Sequence, residues 1–270
     1  MRQRHRGFTL VEIAISLVVL GLVLGGLVVA LSQQLQQSYL LNTRTALNQA
    51  NEALLAYVVA NARLPCPAVA GSNGLESVNG LGQCTAAAGF LPAVTLGLPN
   101  LDAYGLLEDG WADGSIRDNS GASSYPRAIR YSVALLAGTP QAYSLVTASL
   151  GGAVRSTVGT ALSNNNGLFV CRSSTGLVAA GNRCGAAANS LALNAVAVIW
   201  SQGPTGNDAL GNSADEAQNA SQLGAPAIAR AFVMRNAADV GSPVGRFDDL
   251  VVWLGWGPVA DNLMLAWQVQ

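Results

Sequence analysis

Apolar and polar positions divide the chain into stretches of different period. The first seven residues, Met1-Arg2-Gln3-Arg4-His5-Arg6-Gly7, are polar and basic; Phe8-Thr9-Leu10-Val11-Glu12 then opens an apolar run that continues to Leu31. As a helix, residues 8–31 would extend about 36 Å at about 1.5 Å per residue, enough to cross a bilayer with some tilt. After Leu31 the chain turns polar at Ser32, Gln33, Gln34, Gln36 and Gln37 without a break. Leu40, Leu47, Leu54 and Val58 then recur at the spacings that place them on one face of an amphipathic helix. No Pro or Gly stands between Leu27 and Leu64, so a single helix is expected from about Thr9 to Ala62. Arg63-Leu64-Pro65-Cys66-Pro67 ends it, because proline has no N–H to continue the helix and restricts the residue before it.

The remainder reads differently. From Leu64 to about Arg127 the chain is rich in Gly, Pro and Asn with little period, as in Gly89-Phe90-Leu91-Pro92, Leu96-Gly97-Leu98-Pro99 and Asp109-Gly110-Trp111. Short runs rich in Val, Ile, Tyr and Trp follow at Ala128–Leu136, Tyr143–Leu150, Gly167–Cys171, Ala195–Trp200, Ala229–Arg235, Asp249–Leu254 and Leu263–Val269, each read as a strand. No helical pattern separates them, so the sheet is expected to be antiparallel. The fold class is therefore α+β, a long N-terminal helix packed on an antiparallel β-sheet. Its expected divisions are residues 1–7, 8–31, 32–63 and a globular domain over 64–270, small enough for one core.

Charge sharpens this picture. Only 11% of residues are charged and the formal net charge is −1, so no nucleic-acid partner is expected. All the basic side chains are Arg except one His, His5; there is no Lys. Without residues 1–7 the chain has neither Lys nor His, which excludes a Ser-His-Asp triad, a Cys-His pair, His-ligated zinc and a Schiff-base lysine. An enzyme is not expected. Three arginines precede the apolar run and none lies inside it, which by the positive-inside rule keeps the N-terminus cytoplasmic and exports the rest. A secretory signal peptide has an apolar region of about 7–15 residues before a small-residue cleavage site; this run is longer and passes straight into a helical pattern.

Glu12 separates a plain anchor from something more specific. A carboxylate within a spanning helix costs about 2.5–3.5 kcal/mol at the bilayer centre, less near an interface, and commonly marks a partner. Glu12 lies one helical turn after Phe8, so a cut between Gly7 and Phe8 would create an α-amino group within reach of it. The alternative is a glutamate that snorkels to the headgroups. A basic leader, Gly7, Phe8-Thr9-Leu10-Val11-Glu12 and an apolar helix together resemble the processing signal of type IV pilins and type II secretion pseudopilins. The resemblance covers about the first 35 residues. It implies cleavage after Gly7 by a prepilin peptidase, methylation of the Phe8 amine, and pairing of Glu12 with the Phe8 amine of an adjacent subunit. Many members carry a proline about two-thirds along the apolar helix; here Gly25-Gly26-Leu27 stands in that region, and two glycines at about 1 kcal/mol each relative to alanine could serve as the weak point. Leu64-Pro65-Cys66-Pro67, Leu96-Gly97-Leu98-Pro99 and Arg130-Tyr131-Ser132-Val133 further resemble a pseudopilin-like subgroup, with about 15 residues (Ala112 to Pro126) interrupting the likeness.

The resemblance implies a pilin-like structural subunit of a type IV filament or a type II secretion pseudopilus. It would sit single-pass in the inner membrane with a periplasmic domain before entering the filament. The partners implied are other pilin-like subunits, the prepilin peptidase/N-methyltransferase, an assembly platform with its ATPase, and membrane lipid. A tip-located minor pilin that recognises a sugar, a surface or a secreted substrate is the alternative.

Four cysteines, Cys66, Cys84, Cys171 and Cys184, read as disulfides in an exported domain, and three pairings are open. Pairing of neighbours, Cys66 with Cys84 and Cys171 with Cys184, would staple two Gly/Asn-rich loops; the close C-x₂₋₄-C pairs of a zinc site are absent. Acids gather late, at Asp208, Asp215, Glu216, Asp248 and Asp249, among Asn207, Asn212 and Asn219. Major pseudopilins carry a calcium site in a late loop, which makes Asp208, Asp215 and Asp248 candidate ligands and Ca2+ the one candidate cofactor; Asx-rich loops also simply make turns. Asp248 and Asp249, adjacent on a strand, would point to opposite faces and so make no catalytic pair. Trp200 and Trp253 read as core, Trp111 and Trp256 as exposed, with Trp267 in the last strand-like run, and Arg63 as a cation at the helix C-terminus.

Overall fold

The computed structural model describes residues 9–61, 63–111, 127–134, 167–206, 213–224, 228–239, 241–259 and 261–262, with backbone alone at 23–33. Helix α1 runs Leu10–Asn61, close to the expected limits. Glu12 N–H bonds to Thr9 Oγ1 (3.3 Å) at its start, satisfying one of the free amides of the first turn. Along α1 the side chains of residues 34–38 are all exposed, and Thr43 is the first buried residue in the described part of the helix. From there Ala46, Leu47, Ala50, Leu54 and Val58 form the buried stripe that the leucine spacing predicts.

That stripe lies on an antiparallel sheet of order β1-β2-β5-β7: β1 (Ala88–Phe90), β2 (Arg130–Val133), β5 (Ala197–Ser201) and β7 (Leu250–Leu254). Tyr131 pairs with Ile199 and Ile199 with Val252. Successive residues of a strand face opposite ways, and β5 is buried on both faces. Ala197 and Ile199 join the α1 core with Leu54 and Val58, whereas Val198 and Trp200 join Val170, Leu168 and Phe232. The latter belong to a second sheet of order β4-β3-β6, made of β4 (Ser190–Ala195), β3 (Leu168–Cys171) and β6 (Ala231–Val233). The result is three layers, helix on sheet on sheet. A short helix α2 (Ala214–Ser221) caps the second sheet: Asn219 donates to Val233 O and accepts from Val233 N.

Two expectations need correction. The strands form two sheets, and β3 pairs with β6 in parallel, with Phe169 opposite Ala231. A parallel pair requires a long connection, and here β4, β5 and α2 supply it. The α2 segment, read as an Asx-rich loop, is helical because Ser213 and Glu216 form a capping box in which each satisfies the other's backbone amide. Strands β1 and β4 were not expected; Ala88-Gly89-Phe90 sits in a Gly/Pro-rich stretch and Ser190–Ala195 lacks β-branched residues. The runs Tyr143–Leu150 and Leu263–Val269 lie outside the described residues.

Among the described residues no helix is long and apolar enough to cross a membrane. The expected span at 8–31 extends beyond them, since Phe8 and the side chains of 23–33 are not included, and Leu10–Leu22 alone is shorter than the roughly 20 residues a crossing needs.

Candidate functional site

The first candidate is the exposed start of α1. Leu10 (87% exposed), Leu17 (63%) and Leu22 (74%) stand out from the helix with Val11, Ile13 and Ile15, and nothing else in the described chain covers them. Glu12 lies within this apolar surface; its backbone carbonyl accepts from Ser16 Oγ (2.8 Å), and its carboxylate has no partner among the described residues. Gly7 and Phe8 lie outside the described residues. The arrangement is therefore a helix with a large unburied apolar surface and one acid in it. Chemically it can bind hydrocarbon or like helices, and it offers a single site for a cation.

The second candidate is acidic. The α2 cap places Glu216 beside the chain that enters β7, where Glu216 Oε1 accepts from Asp248 N (2.8 Å). Glu216, Asp248 and Asp249 each bring a carboxylate oxygen within 4.8 Å of the others. Adjacent Asp248 and Asp249 reach one place because both precede the first residue of β7, so strand alternation does not separate them. Asp248 accepts from Thr205 Oγ1 (2.9 Å) and Arg246 Nε (2.9 Å); Asp249 accepts from Asn219 Nδ2 (2.7 Å). Burial raises the Glu216 carboxyl above the ordinary range, with the Asp248 charge adding to it. Burial likewise raises Asp248 against its bonds from Thr205 and Arg246, and pushes Asp249 well up despite the Asn219 bond.

This is not the calcium set expected from the sequence. Asp215 turns to a different network, accepting from Ser174 N (2.6 Å) and Ser174 Oγ (2.7 Å) and pairing with Arg235 Nε (2.7 Å). Asp208 lies outside the described residues. The residues that do meet fit a divalent cation poorly, since Asp248 is engaged by Thr205 on both oxygens and Arg246 already brings a positive charge to it.

The structure also places most of the other residues singled out from the sequence. Both disulfides join neighbours, Cys66 to Cys84 and Cys171 to Cys184. Trp200 is fully buried; Trp253 is half-buried against the second core. Trp111 and Trp256 are half-buried too, not exposed: Trp111 sits against Tyr39, with ring centres 5.2 Å apart, and Trp256 packs on the α1 core. Trp267 lies outside the described residues. Arg63 does more than complement the helix end. It forms a two-pronged bond with Glu76 (2.5 and 2.8 Å), and Glu76 also accepts from Cys66 N (3.0 Å) and Tyr57 Oη (3.3 Å), tying the C-terminus of α1 to the first disulfide loop. No local pattern in the sequence signals that contact, because the partners are 13 residues apart across a proline turn.

No curated protein and no solved structure matches the chain. Residues 2–28 match the family described as the prokaryotic N-terminal methylation motif. The basic leader, Gly7-Phe8, Glu12 and the exposed apolar start of α1 thus coincide with that motif, and the chain carries a prepilin signal of the type found in type IV pilins and pseudopilins.

Proposed function

We propose that this chain is a structural subunit of a type IV filament or type II secretion pseudopilus, without enzymatic activity of its own. A prepilin peptidase cuts between Gly7 and Phe8 on the cytoplasmic face and methylates the new Phe8 amine. Residues 8–31 hold the subunit in the inner membrane with residues 64–270 in the periplasm. An assembly platform and its ATPase then draw it into a filament whose core is made of packed N-terminal helices. What carries this reading is Glu12: an acid without a partner among the described residues, one turn past the processing point, on an apolar surface that the domain does not cover. Taking that surface out of water is favourable at about 25 cal/mol per Å². Taking Glu12 with it is tolerable only when a positive group compensates, and the Phe8 amine of a neighbour supplies one.

The test is Glu12→Ala expressed in place of the native subunit. Incorporation into filaments should fall at least tenfold, while the thermal transition of the domain stays where it was, because Glu12 is exposed and has no side-chain partner among the described residues. Normal incorporation of Glu12→Ala would remove the charge pairing from the account.

A further inference from the structure

At Tyr39–Thr43, α1 passes from exposed to packed, and a polar assembly surrounds that turn. The loop Glu108–Trp111 is pinned beside β2 by Asp109 N to Arg127 O (3.1 Å) and by the bridge between Glu108 and Ala128. From there Asp109, 3% exposed, lies between the helix and the sheet. Its Oδ1 accepts from Thr43 Oγ1 (2.7 Å) and from Trp111 N (3.3 Å), and its Oδ2 accepts from Ser201 Oγ at the end of β5. Thr43 Oγ1 also lies 3.0 Å from Tyr39 O; its one proton goes to the carboxylate, which is the closer and the charged acceptor. Thr43 Oγ1 in turn accepts from Gly110 N (3.1 Å).

The loop touches the helix backbone itself. A Cβ on Gly110 would come within 2.4 Å of Tyr39 O and 2.7 Å of Thr43 N, so only glycine admits this approach. Trp111 closes the turn from the other side against Tyr39. A buried carboxylate is expensive to leave unbonded. Here three donors satisfy it, and two of them come from the helix and the sheet that it joins.

We propose that the Asp109–Thr43–Ser201 assembly, with Gly110, is a stop that fixes the foot of the packed half of α1. Opening of the exposed N-terminal half, by fraying or by pulling, ends at Tyr39–Thr43 and does not run into the hydrophobic stripe. Without the stop the first anchor would be the Ala46–Leu47–Ala50 contact, about one turn further along. The inference concerns the folded chain alone and holds whether or not the chain enters a filament.

Hydrogen exchange along α1 in the full-length protein in detergent micelles tests it. In the native chain, slow exchange within the water-exposed and packed part of α1, beyond the polar segment 34–38, should begin at Tyr39–Thr43. In Thr43→Val, which keeps the shape and removes the hydroxyl, amides of residues 39–45 should exchange at least tenfold faster, with those of Leu54–Val58 unchanged. Should Thr43→Val fold poorly, Ser201→Ala removes the hydroxyl on the sheet side without touching the helix, and the same boundary should move in the same direction. An unmoved boundary in the variant that folds overturns the proposal. So does an increase spread evenly from residue 39 to 58, which would mean general loss of stability.

Discussion

The two halves of α1 are one continuous backbone placed in opposite surroundings. Between Leu10 and Leu22 the helix is apolar nearly all round and its side chains stand free; between Thr43 and Val58 only one face is apolar, and that face is fully buried against β2, β5 and β7. Hydrophobicity alone would have assigned the first half to the core. The domain instead uses the less apolar half, because a one-sided stripe can be buried on a sheet while the other side stays wet. An all-round apolar surface needs a partner on every side, which one domain does not offer and a membrane or a bundle of like helices does. The comparison teaches that the position of the polar residues, more than the number of apolar ones, decides which half of α1 the domain buries and which it leaves exposed.

The sharpest way to break the comparison is to shorten one leucine in each half. Leu54→Ala should destabilise the domain by about 2–5 kcal/mol, since a fully buried side chain leaves both lost contacts and a cavity. Leu17→Ala, at an exposed position, should leave the denaturation midpoint unchanged. Equal effects would mean that the exposed half also supports the domain. Next in size are the disulfides: serine in place of both Cys171 and Cys184 should cost about 3 kcal/mol in chemical denaturation. Smaller again is the clamp at the far end of the packed half. Glu76→Gln should cost about 1–2 kcal/mol by weakening the bonds from Arg63 and Cys66 N.

The smallest effect is on pH dependence, and its sign differs between the two ends of the domain. Burial tends to raise Glu76, but the bonds from Arg63 and Cys66 N outweigh it and hold its carboxyl below the ordinary range. Its contribution is therefore present above the usual carboxylate value and lost as pH falls through its lowered one. Glu216, Asp248 and Asp249 are raised, so the folded chain binds more protons there than the unfolded chain. Their effect favours the folded state below the ordinary carboxylate value and is lost as pH rises through the raised ones. Denaturation of the native chain and of Asp249→Asn from mildly acidic to neutral pH checks this. The native chain should lose stability as pH rises, and the variant should lose less; identical slopes would contradict it.

Much of the fold was legible because its signals are local. Leucines at one-face spacing marked the packed helix, Pro65 and Pro67 marked its end, and Val/Ile/Trp-rich runs marked β5 and β7. The capping box Ser213-x-x-Glu216 is equally local but does not stand out among the Asn and Asp around it. What pattern could not supply is pairing between distant segments. The parallel register of β3 with β6, the bond of Asp109 to both Thr43 and Ser201, and the meeting of Glu216 with Asp248 and Asp249 all join residues 30 or more positions apart, apart from that neighbouring pair. The grouping of the acids is not legible for that reason: Asp215 follows Ser213 by two residues yet faces Arg235, while Glu216, one residue on, meets the chain entering β7. The N-terminal motif, by contrast, is legible because it is contiguous: its basic leader, Gly7-Phe8, Glu12 and apolar run all lie within residues 2–28.

The central claim is that the chain is made to lose its basic head and to carry its new terminus into an assembly. Intact-mass and N-terminal peptide mass spectrometry of the subunit purified from its native membranes tests that most directly. The account predicts a chain that begins at N-methylated Phe8, with Met1–Gly7 absent. A mature protein that retains Arg2, Arg4 and Arg6, or that is cut elsewhere, would contradict it.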